Sequence, residues 1–102
     1  MNHIITDNMP QIAMLCKKYR VTMMYVFGSA STDAINENSD VDFLISFQND
    51  VGLEEYADNY FDLMFELEDL LGRNVDLVAE KTLSNPYFIR SIEQTKQLIY
   101  AA

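Results

Sequence analysis

The sequence lacks features that disulfide-bonded proteins, cysteine metal sites and membrane proteins depend on. Its 102 residues include one cysteine, Cys16, which excludes an internal disulfide and leaves no cysteine spacing for a metal site. Cys16 falls in the apolar stripe of a predicted helix, so we expect a buried structural thiol. No apolar run reaches the length of a membrane span, and no basic region precedes an apolar stretch at the N-terminus. We therefore expect no membrane contact and a cytoplasmic location.

Basic residues are also scarce. Seven Lys and Arg stand against sixteen Asp and Glu, which gives a net charge of −9, and no basic residue lies between Gly28 and Asp42. Affinity for a nucleic-acid backbone comes mostly from Lys and Arg, so direct nucleic-acid binding is not expected. A basic protein partner, metal cations, or a nucleotide carried with its own Mg²⁺ suits this charge better. An acidic surface that only keeps the protein in solution explains the net charge equally well.

The order of predicted elements indicates a small α/β (α+β) fold. Apolar residues make up 49% of the chain, and no repeat, low-complexity segment or linker interrupts it, so we expect a single domain over residues 1–102 with one core. The predicted order is helix, strand, turn, strand, helix, strand, helix, which favours a three-stranded sheet with helices packed on it. The first helix is expected to be capped by Asp7 or Asn8, with Pro10 in its first turn. Strands are expected at Val21–Phe27, Val41–Phe47 and 74–78, with a helix at Leu53–Leu71 between the second and the third. A last helix is expected to be capped by Ser84 or Asn85 and to have Leu98 among its apolar contacts.

The helix at Leu53–Leu71 carries two stripes at helical spacing. The stripe predicted to be buried consists of Leu53, Tyr56, Ala57, Tyr60, Met64, Leu67 and Leu71, widened by Phe61 and Phe65. The opposite side carries Glu54, Asp58, Asp62, Glu66 and Asp69. Like charges four residues apart weaken a helix, so packing of the apolar side must stabilise it. The acidic stripe is either a docking surface for a basic partner or a solvated face.

A Gly-Ser pair and two aspartates are the most informative motif. Gly28 and Ser29 directly follow the first predicted strand, and Asp40 and Asp42 lie at the start of the second. A Gly-Ser turn can offer backbone N–H groups and a hydroxyl to a phosphate, and Gly28 lets backbone approach closely because it has no Cβ. Aspartates at i and i+2 of a strand point to one face, where they repel each other unless a cation lies between them.

The third predicted strand adds Asp76, which stands among Val75, Leu77 and Val78. A carboxylate in so apolar a strand is costly unless it is paired or metal-bound. If this strand lies beside the second, three aspartates meet at one sheet face and can hold two Mg²⁺ ions for phosphoryl or nucleotidyl transfer. Simpler alternatives are a polar strand entry for the first two aspartates, an edge-exposed or salt-bridged Asp76, and an ordinary turn or helix cap at Ser29.

This pattern resembles the DNA polymerase β-like nucleotidyltransferase superfamily. The resemblance rests on Gly28-Ser29, Asp40-Val41-Asp42 and the Asp76 strand, and the short chain is similar to the minimal nucleotidyltransferases. It implies a mixed sheet, two Mg²⁺ ions ligated by the three aspartates, and ATP as the donor of AMP to a hydroxyl. It further implies an antitoxin role beside an all-helical HEPN toxin, with a tyrosine of that toxin as acceptor in some members.

Two positions depart from the pattern of the superfamily. Many relatives have a basic residue directly after the Gly-Ser pair and a glycine a few positions later, where this chain has Ala30 and Asp33. Because this basic residue is missing, we expect weaker binding of a triphosphate. Arg73, Lys81 or a basic residue of a partner would have to compensate. Because the three aspartates are intact, we favour an active adenylyltransferase. The alternatives are an inactive antitoxin that neutralises its partner by binding alone, and a transferase acting on a small molecule, which the lack of a second domain disfavours.

Overall fold

The computed structural model describes residues 1–32 and 40–102 and shows a mixed α/β fold. A short helix, α1, precedes α2, and a 3₁₀ turn at Gly28–Ser31 follows the first strand. The elements are α1 (His3–Thr6), α2 (Met9–Lys18), β1 (Val21–Phe27), β2 (Val41–Phe47), α3 (Leu53–Leu71), β3 (Val75–Ala79), α4 (Pro86–Thr95) and β4 (Gln97–Ala101). Among these residues, no helix is long and apolar enough to cross a membrane.

The four strands form one sheet in the order β3-β2-β1-β4. β1 is antiparallel to both β2 and β4, whereas β2 and β3 run parallel. Parallel neighbours need a crossover connection, and α3 provides it. The mixed sheet confirms the predicted fold class, although four strands are present in the described part of the chain where three were expected.

The sheet is covered on both faces. On one face, the side chains of Val41, Phe43 and Ile45 pack with those of α2 and α3 in the main core. On the other face, a smaller cluster joins Phe27 and Leu44 to Ile92 of α4. Because side chains alternate along a strand, the residues between the main-core positions point to the α4 side. Cys16 is buried in the main core, as predicted, and burial raises the pKa of its thiol.

Strand and helix bounds agree with the sequence patterns except near the chain ends. The bounds predicted for β1, β2 and α3 are confirmed, β3 is shifted by one residue, and Asn85 caps α4 through its side-chain oxygen as predicted. Asn8 precedes α2, but its side chain donates to the Ile4 carbonyl instead of capping. The elements α1 and β4 and a 3₁₀ turn at Glu80–Thr82 were not predicted. Leu98 therefore lies on a strand, half-exposed, and not in the last helix.

The predicted buried stripe of α3 is wrong in part. Leu63, Leu67 and Leu71 are the buried residues of this helix. Tyr56, Tyr60 and Met64 are half-buried. Four members of the predicted stripe are exposed: Leu53, Ala57, Phe61 and Phe65. The helix has more apolar side chains than one sheet face can cover, so one apolar row turns to solvent.

Candidate active site

The parallel pairing of β2 and β3 brings two of the predicted aspartates together. Asp42 pairs with Asp76 in the strand register, and neighbouring strands lie about 4.8 Å apart. Each aspartate stands between residues that are buried on the main-core side. Their side chains therefore share the opposite face of the sheet, with Asp42 half-buried and Asp76 exposed.

The electrostatics of Asp42 indicate a site that favours a cation. Burial, then the negative charges of Asp76 and Asp40, raises the pKa of the Asp42 carboxyl to about 6. In the described part of the chain, no Lys, Arg or His forms an ion pair with this carboxylate. A half-buried carboxylate that has no cationic partner and feels the negative charge of two others loses its proton reluctantly, and a divalent cation would reverse that preference.

Gly28 lies directly against Asp42. It follows Phe27, which pairs with Asp42 across β1 and β2, and its φ of +68° is in the left-handed region. A Cβ on Gly28 would come within 2.6 Å of Asp42 Oδ2. Glycine is thus required here both by backbone conformation and by the approach of the carboxylate. The turn and the aspartate pair form one continuous surface.

Side chains from distant parts of the chain fix this turn. The Gly28 N–H donates to Thr95 Oγ1 at 3.0 Å, so this amide is engaged and does not point to a free phosphate site. Ser31 Oγ donates to the Gly28 carbonyl, and Gln97 Nε2 donates to the Ser31 carbonyl. Within the described ranges Ser29 Oγ makes no hydrogen bond, which leaves its hydroxyl available. Sequence reasoning did not find Thr95 or Gln97, because no local motif marks a contact across 66 or 67 residues.

Asp40 precedes β2 and is exposed. Its charge contributes to the raised pKa of Asp42, so the three predicted aspartates are electrostatically connected. Across residues 1–32 and 40–102, however, no group of three His, Cys, Asp or Glu side chains converges in the manner of a metal-binding cluster. The oxygen donors suit Mg²⁺ in kind, but Asp40 would have to approach the other two to complete a shared site.

The basic residues suggested as substitutes for a phosphate-binding cation are at different ends of the sheet. Lys81 Nζ lies 3.8 Å from the centroid of the Tyr56 ring, in a cavity that Phe47 also lines. It is therefore near the end of β2, whereas Asp42 is near the start. Arg73 precedes β3 at the same end as Asp42. Ala30 is buried, and Asp33 lies outside the described residues.

Asp42→Asn is expected to stabilise the metal-free protein near neutral pH. The folded-state pKa of about 6 is above the ordinary 3.8, so folding opposes ionisation, and stability is lost as the pH rises through this window. Because Asp42 is half-exposed, solvent screens part of this effect. We therefore expect Asp42→Asn to raise the free energy of unfolding by about 1 kcal/mol at pH 7.5 and by less at pH 5. Urea unfolding in chelator at both pH values measures it, with the exposed Asp7→Asn as control. A variant less stable than the parent at pH 7.5 would contradict this.

Comparisons with known proteins agree on one family. Residues 10–102 match the family described as Polymerase beta, Nucleotidyltransferase. The chain is 39% identical over 87 residues to the "Putative protein adenylyltransferase MJ0128" of Methanocaldococcus jannaschii, covering 85% of this chain and 83% of that one. A second protein of that organism, "Putative protein adenylyltransferase MJ1217", is 37% identical over 89 residues with the same coverage of both chains.

Solved structures show the same fold. A structure described as a "putative minimal nucleotidyltransferase" superposes with a TM-score of 0.73 and 28% identity, covering 95% of both chains. A toxin–antitoxin structure with AMP-PNP superposes with a TM-score of 0.73 and 21% identity, covering 93% of this chain and 74% of that one. A tri-AMPylated HEPN toxin of Shewanella oneidensis in complex with its MNT antitoxin gives a TM-score of 0.67 and 18% identity, covering 95% and 72%. The chain described here belongs to the polymerase β nucleotidyltransferase family and has the architecture of its minimal members.

Proposed function

We propose that this chain transfers AMP from ATP to a hydroxyl group of a HEPN-type partner protein and so acts as the antitoxin of that protein. The proposed acceptor is the hydroxyl of a tyrosine. The observation that carries the proposal is the pairing of Asp42 with Asp76 directly beside the Gly28 turn. Curated relatives named as protein adenylyltransferases support the reaction class. The antitoxin role is supported by similarity of fold to a complex of an AMPylated HEPN toxin with an MNT antitoxin.

Each proposed site residue has a role in this reaction. Asp42 and Asp76, joined by Asp40 once it approaches them, would hold two Mg²⁺ ions, and Gly28 and Ser29 would face the phosphates of ATP, with Ser29 Oγ as a donor. Bound Mg²⁺ would lower the pKa of the attacking hydroxyl and neutralise charge on the departing pyrophosphate. A cation placed among the three carboxylates would offset their mutual repulsion.

The transfer forms one bond and breaks one. The acceptor oxygen bonds to the α-phosphorus of ATP, the bond from that phosphorus to the bridging oxygen breaks, and pyrophosphate leaves. The hydroxyl proton passes to Asp76, the more exposed of the paired carboxylates.

The test is the mass of the partner after incubation with this chain, ATP and Mg²⁺. We expect a gain of one AMP mass for each modified hydroxyl, located on tyrosine by peptide sequencing, and no gain when Mg²⁺ is chelated. A partner that remains unmodified while its toxicity is neutralised would reject the transferase reaction.

A second candidate is an antitoxin that inhibits by binding alone. It is favoured by Ala30 in place of a basic residue and by the engagement of the Gly28 N–H with Thr95. The variant with Asp40, Asp42 and Asp76 all changed to Asn separates the two candidates. Full neutralisation by this variant supports binding alone, whereas loss of neutralisation with retained partner binding supports transfer.

A further inference from the structure

Helix α3 presents an apolar row to solvent. Leu53, Ala57, Phe61 and Phe65 are spaced four residues apart, which places them on one face. Leu53 is 86% exposed, Phe61 51% and Phe65 55%. An exposed apolar row that contains three large side chains is typical of a protein interaction site. Phe61 is held edge-on against Tyr60, with ring centroids 5.1 Å apart, so the row is partly preordered.

An acidic row runs beside the apolar one. Glu54, Asp58 and Asp62 are also four residues apart and exposed. In the described ranges the ion pairs of α3 are made by Glu55 and Glu66, and none is made by these three carboxylates. Their mutual repulsion weakens the helix slightly, and basic residues of a partner would relieve it.

A groove adjoins the apolar row. It has a volume of about 380 Å³ and lies between α3 and β3. Ala57 and Phe61 line it from the helix, and Leu77 and Val78 line it from the strand. It can receive an apolar side chain from a partner that rests on Phe61. Leu77 and Val78 follow Asp76 directly along β3, so the groove is lined by the same strand that carries one of the candidate site residues.

Side chains obstruct the outer edge of β3. In the described sheet β3 pairs only with β2, and three of its backbone groups form hydrogen bonds with side chains. The Val75 N–H donates to Glu68 at 3.0 Å, the Tyr60 hydroxyl donates to the Leu77 carbonyl, and Thr82 Oγ1 donates to the Ala79 carbonyl at 2.8 Å. Strand addition would have to break these contacts. A partner therefore docks through side chains, from a helix or a loop.

We propose that the α3 face, formed by the apolar row and the acidic row together with the groove, docks a different protein whose apolar contact residues are flanked by Lys or Arg. A second copy of this chain does not suit the face, because it would bring acidic rows and two net charges of −9 together. That the docked protein is also the acceptor of AMP rests on the function proposed above.

The experiment titrates the purified HEPN-type partner into this chain by calorimetry. Two double variants test the face: Phe61→Ala with Phe65→Ala, and Asp58→Lys with Asp62→Lys. Matched controls on other elements are Met14→Ala, at a side chain 70% exposed on α2, and Asp7→Lys. We expect each double variant to weaken partner binding about 30-fold or more, each control to change it less than about twofold, and Mg²⁺–ATP binding to be unchanged in all.

The outcomes separate docking from catalysis. Unchanged partner affinity in both double variants overturns the docking proposal, even if AMP is transferred. A wild-type homodimer that the phenylalanine variant dissociates also overturns it, because the face would then join two copies. Weakened binding in the double variants, without any AMP transfer by the parent, upholds the docking surface and rejects the proposed function. When transfer occurs, the KM for the partner should rise and kcat at saturation should remain unchanged.

Discussion

Replacing Asp42 with Asn is expected to reduce AMP transfer by about 1,000-fold or more, equivalent to about 4 kcal/mol in the activation free energy. Asn has the size of Asp but lacks the charge. Asp42 is the central carboxylate of the site, because it pairs with Asp76 and is affected by the charges of both other aspartates. The measurement is the initial rate of partner modification by the parent and the variant at saturating ATP and Mg²⁺.

Two controls make this result specific. Asp7→Asn removes a charge from an exposed position outside the site and should leave the rate unchanged. Mg²⁺ should raise the melting temperature of the parent in the presence of a nonhydrolysable ATP analogue, and Asp42→Asn should remove that increase. Transfer by Asp42→Asn at the parental rate would reject the proposed metal site.

Gly28→Ala is expected to lower transfer about 100-fold while costing only about 1 kcal/mol of stability. The added Cβ would be 2.6 Å from Asp42 Oδ2, so the carboxylate oxygen must move by about 1 Å to restore an ordinary contact. A short side chain that borders a half-open face can rotate, which keeps the cost to folding small. The same rotation removes Asp42 from the position that the reaction needs.

Gly72→Ala provides a matched control for backbone strain. Gly72 has φ +64° at the end of α3, and a Cβ there meets nothing within 4 Å. Gly72→Ala should lower the free energy of unfolding by an amount similar to that of Gly28→Ala, but it should leave the rate of AMP transfer unchanged. Chemical unfolding and the rate assay on both variants test this pair. Equal losses of activity in the two variants would show that strain, and not contact with Asp42, limits the reaction.

The elements that form the centre of the sheet were predictable because their sequences are distinctive. The strands β1 and β2 are apolar runs bounded by turn residues, and α3 has a long helical period ended by Gly72 in the left-handed conformation. The strand β4 was missed because Gln97–Ala101 is short and has no strand pattern of its own. Its conformation is decided by pairing with β1, a contact between segments far apart in the sequence.

The orientation of α3 shows a second limit of sequence reasoning. A periodicity identifies apolar residues on a helix, but it does not give the width of the surface available to cover them. The sheet covers Leu63, Leu67 and Leu71, while Phe61 and Phe65 remain exposed. Part of the stripe predicted to be buried is therefore exposed, and this exposed part belongs to the proposed docking surface.

The sequence by itself determined the family, the mixed α/β class and the residues worth testing, because the Gly-Ser pair and the aspartates are placed by local strand periodicity. Only the tertiary structure decided that Asp42 pairs with Asp76, that Gly28 contacts Asp42, and that Thr95 engages the turn. These contacts depend on strand register and on segments joined across the fold. Register and long-range contact follow from how all the elements bury their apolar surfaces together, which no single stretch of sequence specifies.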